Sequence, residues 1–243
     1  MAHGAPVGGP PHRLRPTVAA PTGSPRVIWG IAPIAAGVLR ADTAGMPTPP
    51  SVLVIIGPSA SGKSSVLSEL DRRGLVRVRP TWCTRPPRPD EEAGTTNHVF
   101  VDDREFDRLD RGGFFLCTGG IQGLHYRYGL PRFADGCGTA LDTVILRADY
   151  VTMFRRHYPR AVVYLVTAPH HDLTRRLGRR DDPPHVVAAR VVANRHEETA
   201  GAALADRTFV NAGSVPELAD AVELGLVADG ALDHPSHHLD VPA

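Results

Sequence analysis

The run Gly57-Pro58-Ser59-Ala60-Ser61-Gly62-Lys63-Ser64 fits G-x-x-x-x-G-K-[ST] without a mismatch, and it is the stretch whose residue types and spacing could do chemistry. Its glycines let the backbone turn so that successive N–H groups point inward, and the positive end of a following helix adds to them. Lys63 would reach the β- and γ-phosphates of a nucleoside triphosphate, and Ser64 would offer its hydroxyl to Mg²⁺. The nucleotide-binding set read from this stretch is Gly57, Ser59, Ala60, Ser61, Gly62, Lys63, Ser64 and Ser65, with Ser64 as the metal contact and Lys63 also catalytic.

Phosphoryl transfer asks little covalent help of a protein. It needs two phosphates held in line, their charge offset and water kept away. Arginines are therefore the next residues of interest. Thr84-Arg85-Pro86-Pro87-Arg88-Pro89 sets two guanidiniums three residues apart on a proline-stiffened segment, and a planar fork suits a pair of phosphate oxygens better than a lysine does. A second group, Arg175, Arg176, Arg179, Arg180, Arg190 and Arg195, flanks the Pro- and charge-rich break from Arg179 to Pro184. Arg176, Arg180 and Arg190 could close over the triphosphate as charge clamps, with the break acting as a lid.

The elements that must position these residues are legible as alternating patterns. Val52-Leu53-Val54-Ile55-Ile56 predicts a buried strand entering the loop, and Ser65 to Leu70 has apolar residues at helical spacing before Gly74. Leu75 to Arg79 alternates apolar and basic residues as a half-exposed strand would, and Thr81 to Asp90 reads as a loop. Asp102 caps a predicted helix carrying Glu105, Phe106 and Leu109 that stops at Gly112-Gly113. Strands are predicted at Phe114 to Cys117, Leu141 to Leu146, Ala161 to Val166 and Thr208 to Val210, with a Gly-rich, substrate-facing loop region from Gly119 to Gly138. Helices are predicted around Leu173 and Leu177, from Val186 to Ala205, and around Val215, Leu218, Ala219 and Val222. The alternation implies an α/β fold with a mostly parallel sheet.

With 243 residues, 42% of them hydrophobic, one sizeable core is expected. Lys and Arg total 27 against 26 Asp and Glu, a net charge of +1, which suggests neither nucleic acid nor an anionic membrane as a partner. Cys83, Cys117 and Cys137 form no CxxC pair, so neither a disulfide framework nor a zinc site is indicated, and the thiols fit a reducing cytosol. His234, His237 and His238 lie among Pro and Asp without periodicity. Residues 1–49 are rich in Pro, Ala and Gly and are expected to be a disordered extension, residues 50–227 the folded domain, and residues 228–243 a flexible tail. Within the extension, Val27 to Leu39 is too short to span a bilayer, and although basic residues before it resemble a secretory signal, a nucleotide-binding fold behind it favours a cytoplasmic location. Met46, a few residues before the first strand, offers an alternative start that intact mass of the native polypeptide would decide.

GPSASGKSS, the TRPPRP loop, the acidic stretch leading to Asn97-His98-Val99-Phe100-Val101, and Tyr128-Gly129 resemble, in that order, the guanylate kinase superfamily over about residues 50 to 226. The resemblance implies a P-loop NTPase core, a small acceptor-binding subdomain, a mobile lid, and ATP with Mg²⁺ as donor. It implies that Arg85 and Arg88 hold the acceptor phosphate, that Tyr128 touches it, and that Asn211 lies near the adenine. Guanylate kinases also read guanine with a glutamate in the strand occupied here by Phe114 to Cys117, and with a serine or threonine just after the Tyr-Gly pair. Here that strand has no acid, Leu130 follows Gly129, and His98 aligns with a tyrosine of the acceptor lobe. Asp149 either stands in for the acceptor-side aspartate or caps a helix.

A sister family, the ribose 1,5-bisphosphate phosphokinases of phosphonate catabolism, is similar in Ala93-Gly94-Thr95-Thr96-Asn97-His98, in Gly112-Gly113-Phe114-Phe115-Leu116, in Gly123-Leu124 before Tyr128-Gly129-Leu130-Pro131, and in Tyr158-Pro159 before Leu165-Val166-Thr167-Ala168-Pro169. Arg88 is more a guanylate kinase trait, and His125-Tyr126-Arg127 resembles an insertion. The expectation is an ATP-dependent kinase of a small phosphorylated acceptor. Lys63, Arg85, Arg180 and Arg190 are catalytic, and Arg176 and Asn211 join the loop in holding the nucleotide. Arg85, Arg88, His98, Tyr128 and Asp149 face the acceptor. Ribose 1,5-bisphosphate is placed ahead of a nucleoside monophosphate, and a catalytically silent binding module is the alternative from another class.

Overall fold

The computed structural model describes residues 50–88, 91, 97–121, 123–134, 140–180 and 182–232. The expected extension, the run from Ala93 to Thr96, Cys137 and the three C-terminal histidines lie outside the described residues.

The centre of the domain is β1 (Val52–Ile56), whose five apolar side chains are all buried. Each such side chain contributes about 1.5–3 kcal/mol by leaving water. A strand apolar on both faces must be covered on both, and β1 is flanked in parallel by β7 (Leu141–Ile145) and β8 (Ala161–Thr167), with Val54 opposite Val144 and Val163. β2 (Val76–Val78) and β9 (Arg207–Val210) complete a five-stranded parallel sheet in the order β2-β7-β1-β8-β9. One face packs α1 (Lys63–Arg72) and α6 (Val215–Ala228) through Val66, Leu67, Leu70, Leu218, Val222 and Leu226. The other packs α3 (Ala148–His157) through Val151 and Phe154 and the flank of α5 (Pro184–Leu204) through Ala200 and Leu204. α4 (His170–Gly178) lies between β8 and α5 in the chain.

A second sheet forms the smaller lobe. It runs β4 (His98–Phe100), β3 (Thr81–Cys83), β6 (Arg127–Pro131) and β5 (Phe115–Gly120), with β3 and β4 parallel and the other pairs antiparallel. α2 (Asp103–Arg111) precedes β5 and is capped by Asp102, whose carboxylate accepts the Glu105 N–H at 2.7 Å.

The α/β architecture is as expected, and two local expectations are corrected. Thr81 to Asp90 reads as loop, yet Thr81 to Cys83 is a strand because its backbone pairs on both sides, with β4 and β6. Within the Gly-rich region from Gly119 to Gly138, Arg127–Pro131 is a strand, where Gly129 accommodates the Phe115 ring, 2.7 Å from where a Cβ would stand. Among the described residues no helix is long and apolar enough to cross a membrane.

Candidate active site

The phosphate loop leaves the C-terminal end of β1 at the middle of the parallel sheet, where the chain crosses away to either side and a crevice must open. Two glycines are required there by geometry. Gly57 has φ 137°, and a Cβ would lie 2.1 Å from the Val166 carbonyl oxygen; Gly62 has φ 102°, and a Cβ would meet the Asn211 amide at 2.3 Å. Ala60 is the one described non-glycine residue with positive φ, at 70°. Gly62 is the N-cap of α1 and no side chain caps that helix, so its first N–H groups are open to an anion.

The loop is braced from two elements far along the chain. Asn194 of α5 accepts the Ser59 N–H at 2.6 Å and donates to the Ser59 carbonyl at 3.2 Å. Asn211, after β9, donates to the Ser61 carbonyl at 2.8 Å and is itself buried. Arg176 donates to the Ala60 carbonyl at 3.4 Å and the Asn211 carbonyl at 3.5 Å, so it braces the loop and does not line the cleft. Lys63 donates to the Gly57 and Pro58 carbonyls, both at 2.7 Å. Desolvation in the cleft pushes its pKa down to about 8, against the pull of Glu197 and with the push of Arg180, Arg147 and Arg190.

The second lobe closes the same cavity from across the cleft. Arg85 is buried and forms a two-pronged pair with Glu91, both contacts at 2.5 Å, with its guanidinium 5.0 Å from the centre of the Phe100 ring. Burial pushes the Glu91 carboxyl up, yet the bonds from Arg85 and from the Arg88 backbone N–H prevail and hold it at about 2. His98 shares a 2.7 Å hydrogen bond with the Thr81 hydroxyl, and burial, with Arg85 nearby, lowers its pKa to about 4, so it is neutral at physiological pH. The buried thiols Cys83 and Cys117 are pushed by burial up to about 11 and about 12, which leaves them unreactive.

From the lid side, Asp182 ties the two halves together, with Arg88 Nε and Arg190 Nε each 3.4 Å from its carboxylate. Arg190 is 5% exposed, and its Nε and Nη2 make no hydrogen bond. A buried guanidinium with idle donors is built for an anion.

One cavity thus brings together Gly57, Ser59, Ala60, Gly62, Lys63, Ser64 and Ser65 with Arg85, Arg88, His98, Tyr128, Arg180 and Arg190. Ser61, Arg176, Asn211 and Asp149 do not line it. Asp149 is exposed in the first turn of α3 and pairs with His196 at 2.7 Å; it is not the cap of that helix, a position held by Arg147. Sequence reasoning missed Glu91, Arg147, Asn194 and Glu197, all of which line the cavity. Three polar residues at Arg190, Asn194 and Glu197, spaced four and three apart on a helix otherwise rich in Ala and Val, were the available signal for one buried face.

No protein-family model matches the chain. It is 38% identical over 194 residues to a guanylate kinase of Thermobifida fusca, spanning 76% of this chain and 94% of that one. It is 34% identical over 168 residues to a guanylate kinase of Streptomyces coelicolor, spanning 67% and 83%. A crystal structure of guanylate kinase from Anaplasma phagocytophilum shares the fold with a TM-score of 0.56 at 22% identity, over 75% of this chain and 87% of that one. At the identity and coverage shared with the Thermobifida fusca protein, the chain belongs to the guanylate kinase family of ATP-dependent kinases.

Proposed function

We propose that the protein transfers the γ-phosphoryl group of ATP to the phosphate of a nucleoside monophosphate, with GMP the first acceptor to test. The observation that carries this reading is the single cavity lined on one side by the phosphate loop and on the other by Arg85, Arg88, His98 and Tyr128. The names of the relatives reverse the order expected from sequence resemblance, which placed ribose 1,5-bisphosphate first.

An acceptor phosphate oxygen attacks the γ-phosphorus in line, the bond to the β,γ-bridging oxygen breaks, and ADP leaves with that electron pair. A phosphate with second pKa ≈ 6 is already largely ionised at neutral pH, so no general base is needed. Lys63 and the open N-terminus of α1 offset donor charge, Arg85 and Arg88 exchange Glu91 and Asp182 for the acceptor phosphate, and Arg180 and Arg190 meet the transferring group. The Ser64 hydroxyl is exposed at the helix start on the cavity wall and suits a hard cation together with phosphate oxygens, so it would hold Mg²⁺, which supplies charge neutralisation when bound.

A specific feature keeps ribose 1,5-bisphosphate as the second reading. Among the described residues the acceptor side of the cavity is lined by Cys117, Gly119, Gly120, Ile121 and Leu130, and its one carboxylate, Glu91, is engaged by Arg85, so no free acid awaits the N–H edge of guanine. ADP release in the presence of GMP, AMP or ribose 1,5-bisphosphate decides. Turnover with a nucleotide and none with the sugar bisphosphate supports the proposal; the reverse result refutes it, and no turnover with any acceptor returns the binding-module alternative.

A further inference from the structure

Along α5, Arg190, Asn194 and Glu197 are buried at intervals of four and three residues, so they share one face of the helix. Asn194 fastens that face to the phosphate loop through the Ser59 N–H at 2.6 Å. Glu197 stands a turn further on, and its Oε1 accepts the Ala148 N–H at 2.8 Å, at the start of α3. Its Oε2 makes no hydrogen bond among the described residues and lies 3.5 Å from the Arg147 guanidinium. One helix face thus holds the loop at Asn194 and Arg147 at Glu197.

The sheet leads Arg147 to the same place. Ile145, the last residue of β7, pairs with Ile55 of β1, and the Leu146 N–H donates to the Ile55 carbonyl at 3.0 Å, so Arg147 leaves β7 beside the point where Gly57 begins the loop. Ile145, Leu146 and Arg147 line the cavity together with Lys63 and Glu197. The Arg147 side chain is 24% exposed, and its ion pairs are long. Both run through Nη2, at 3.4 Å to Asp149, which is closer to His196 at 2.7 Å, and at 3.5 Å to Glu197. A guanidinium carries five N–H donors, and a charge-assisted hydrogen bond closes to about 2.7–2.9 Å, so these contacts place the group by charge without committing its fork. Arg85 and Arg88 belong to the smaller lobe across the cleft, whereas Arg147 stands on the sheet that carries the loop, which puts it with the donor. We propose that Arg147 is a further phosphate-binding residue, one that meets the γ-phosphoryl group of ATP from the β7 side, with Glu197 balancing its charge from behind. The inference rests on ATP binding at the phosphate loop and not on the identity of the acceptor.

Calorimetry on the full chain compares the Mg²⁺ complexes of ADP and of the non-hydrolysable analogue adenylyl imidodiphosphate, which differ by the γ-phosphoryl group. Arg147→Met keeps an apolar stem and removes the charge. It should bind the analogue about tenfold more weakly, the loss of one hydrogen bond to a charged group, and bind ADP within about twofold of the original protein. Arg147→Lys keeps the charge without the fork and should lose about threefold for the analogue with ADP again unchanged; it carries the test alone should the Met variant not fold. A merely structural ion pair would lower Tm and leave the ratio of the two affinities where it was. Equal losses for both nucleotides, or no loss for either, would overturn the inference while leaving the donor site in place. Failure of the original protein to bind either nucleotide would overturn the donor reading itself, and this inference with it.

Discussion

Replacing Arg190 with Met should move stability and activity in opposite directions. The guanidinium is 5% exposed, Nε and Nη2 lack hydrogen bonds, and its ion pair to Asp182 is long, at 3.4 Å. Each orphaned donor costs about 1–3 kcal/mol, and exchanging a poorly bonded buried ion for an apolar side chain of similar length is often stabilising by about 1–4 kcal/mol. Asp182 is not stranded by the change, because Arg88 still approaches it at 3.4 Å through two nitrogens. The expected net gain is about 1–2 kcal/mol, which raises Tm by about 2–4 °C per kcal/mol in a chain of this size. An arginine that meets the transferring phosphoryl group is worth about 10³-fold or more in turnover, so kcat should fall by at least that factor. Thermal melts of the nucleotide-free protein and ADP release under saturating ATP measure the two effects. A variant that melts several degrees lower while keeping most of its turnover would refute the reasoning, since Arg190 would then be a structural ion and not an anion clamp.

Lys63→Ala should cut ATP-dependent turnover by about 10²-fold or more with little change in Tm, because the ammonium bonds only to loop carbonyls; a variant that keeps most of its rate would displace the site. Asn194→Ala strips both Ser59 backbone groups of their partner and should cost about 2 kcal/mol, read as a Tm lower by several degrees; an unchanged Tm would show that the brace is dispensable. His98 has its pKa lowered from 6.5 to about 4 by burial and Arg85, so between those values the unfolded chain binds the extra proton. The stability it contributes is therefore intact above pH 6.5 and is lost as pH falls toward 4, at up to about 1.4 kcal/mol per pH unit. His98→Gln should flatten that acid limb in urea midpoints taken at pH 4.5 and 7, and an unaltered slope would mean that His98 is already charged in the fold.

Much of the frame was legible because it is written in local patterns. The apolar run of β1, the phosphate-loop spacing, the Asp102 cap and the helical period of α6 each depend on neighbours within a few residues. The three strands missed in the smaller lobe, β3, β4 and β6, are short, and β6 carries a glycine and a proline. They hold as strands by pairing with segments distant in sequence, such as Trp82 with Gly129, and no local period records that. Arg77 and Arg79 read as one solvated edge of a half-exposed strand, yet both pair with the buried Asp142 of β7, more than sixty residues away.

By itself the sequence determined the donor side: a strand, a turn that only glycine can make at Gly57 and Gly62, and a helix N-terminus follow one another along the chain, so their chemistry is fixed by adjacency. It also named the arginines that could meet phosphate. Which of them line the cleft was decided by tertiary structure. Folding sends Arg176 beneath the loop and Arg180 and Arg190 into the cleft, although all three come from the same stretch of the chain. The pairings that set charge in the site, Arg85 with Glu91, Asp182 between Arg88 and Arg190, and Glu197 with Arg147, depend on burial and on contacts between separate elements. Electrostatic strength depends on distance and solvent exclusion, and a linear sequence specifies neither until the lobes close on each other.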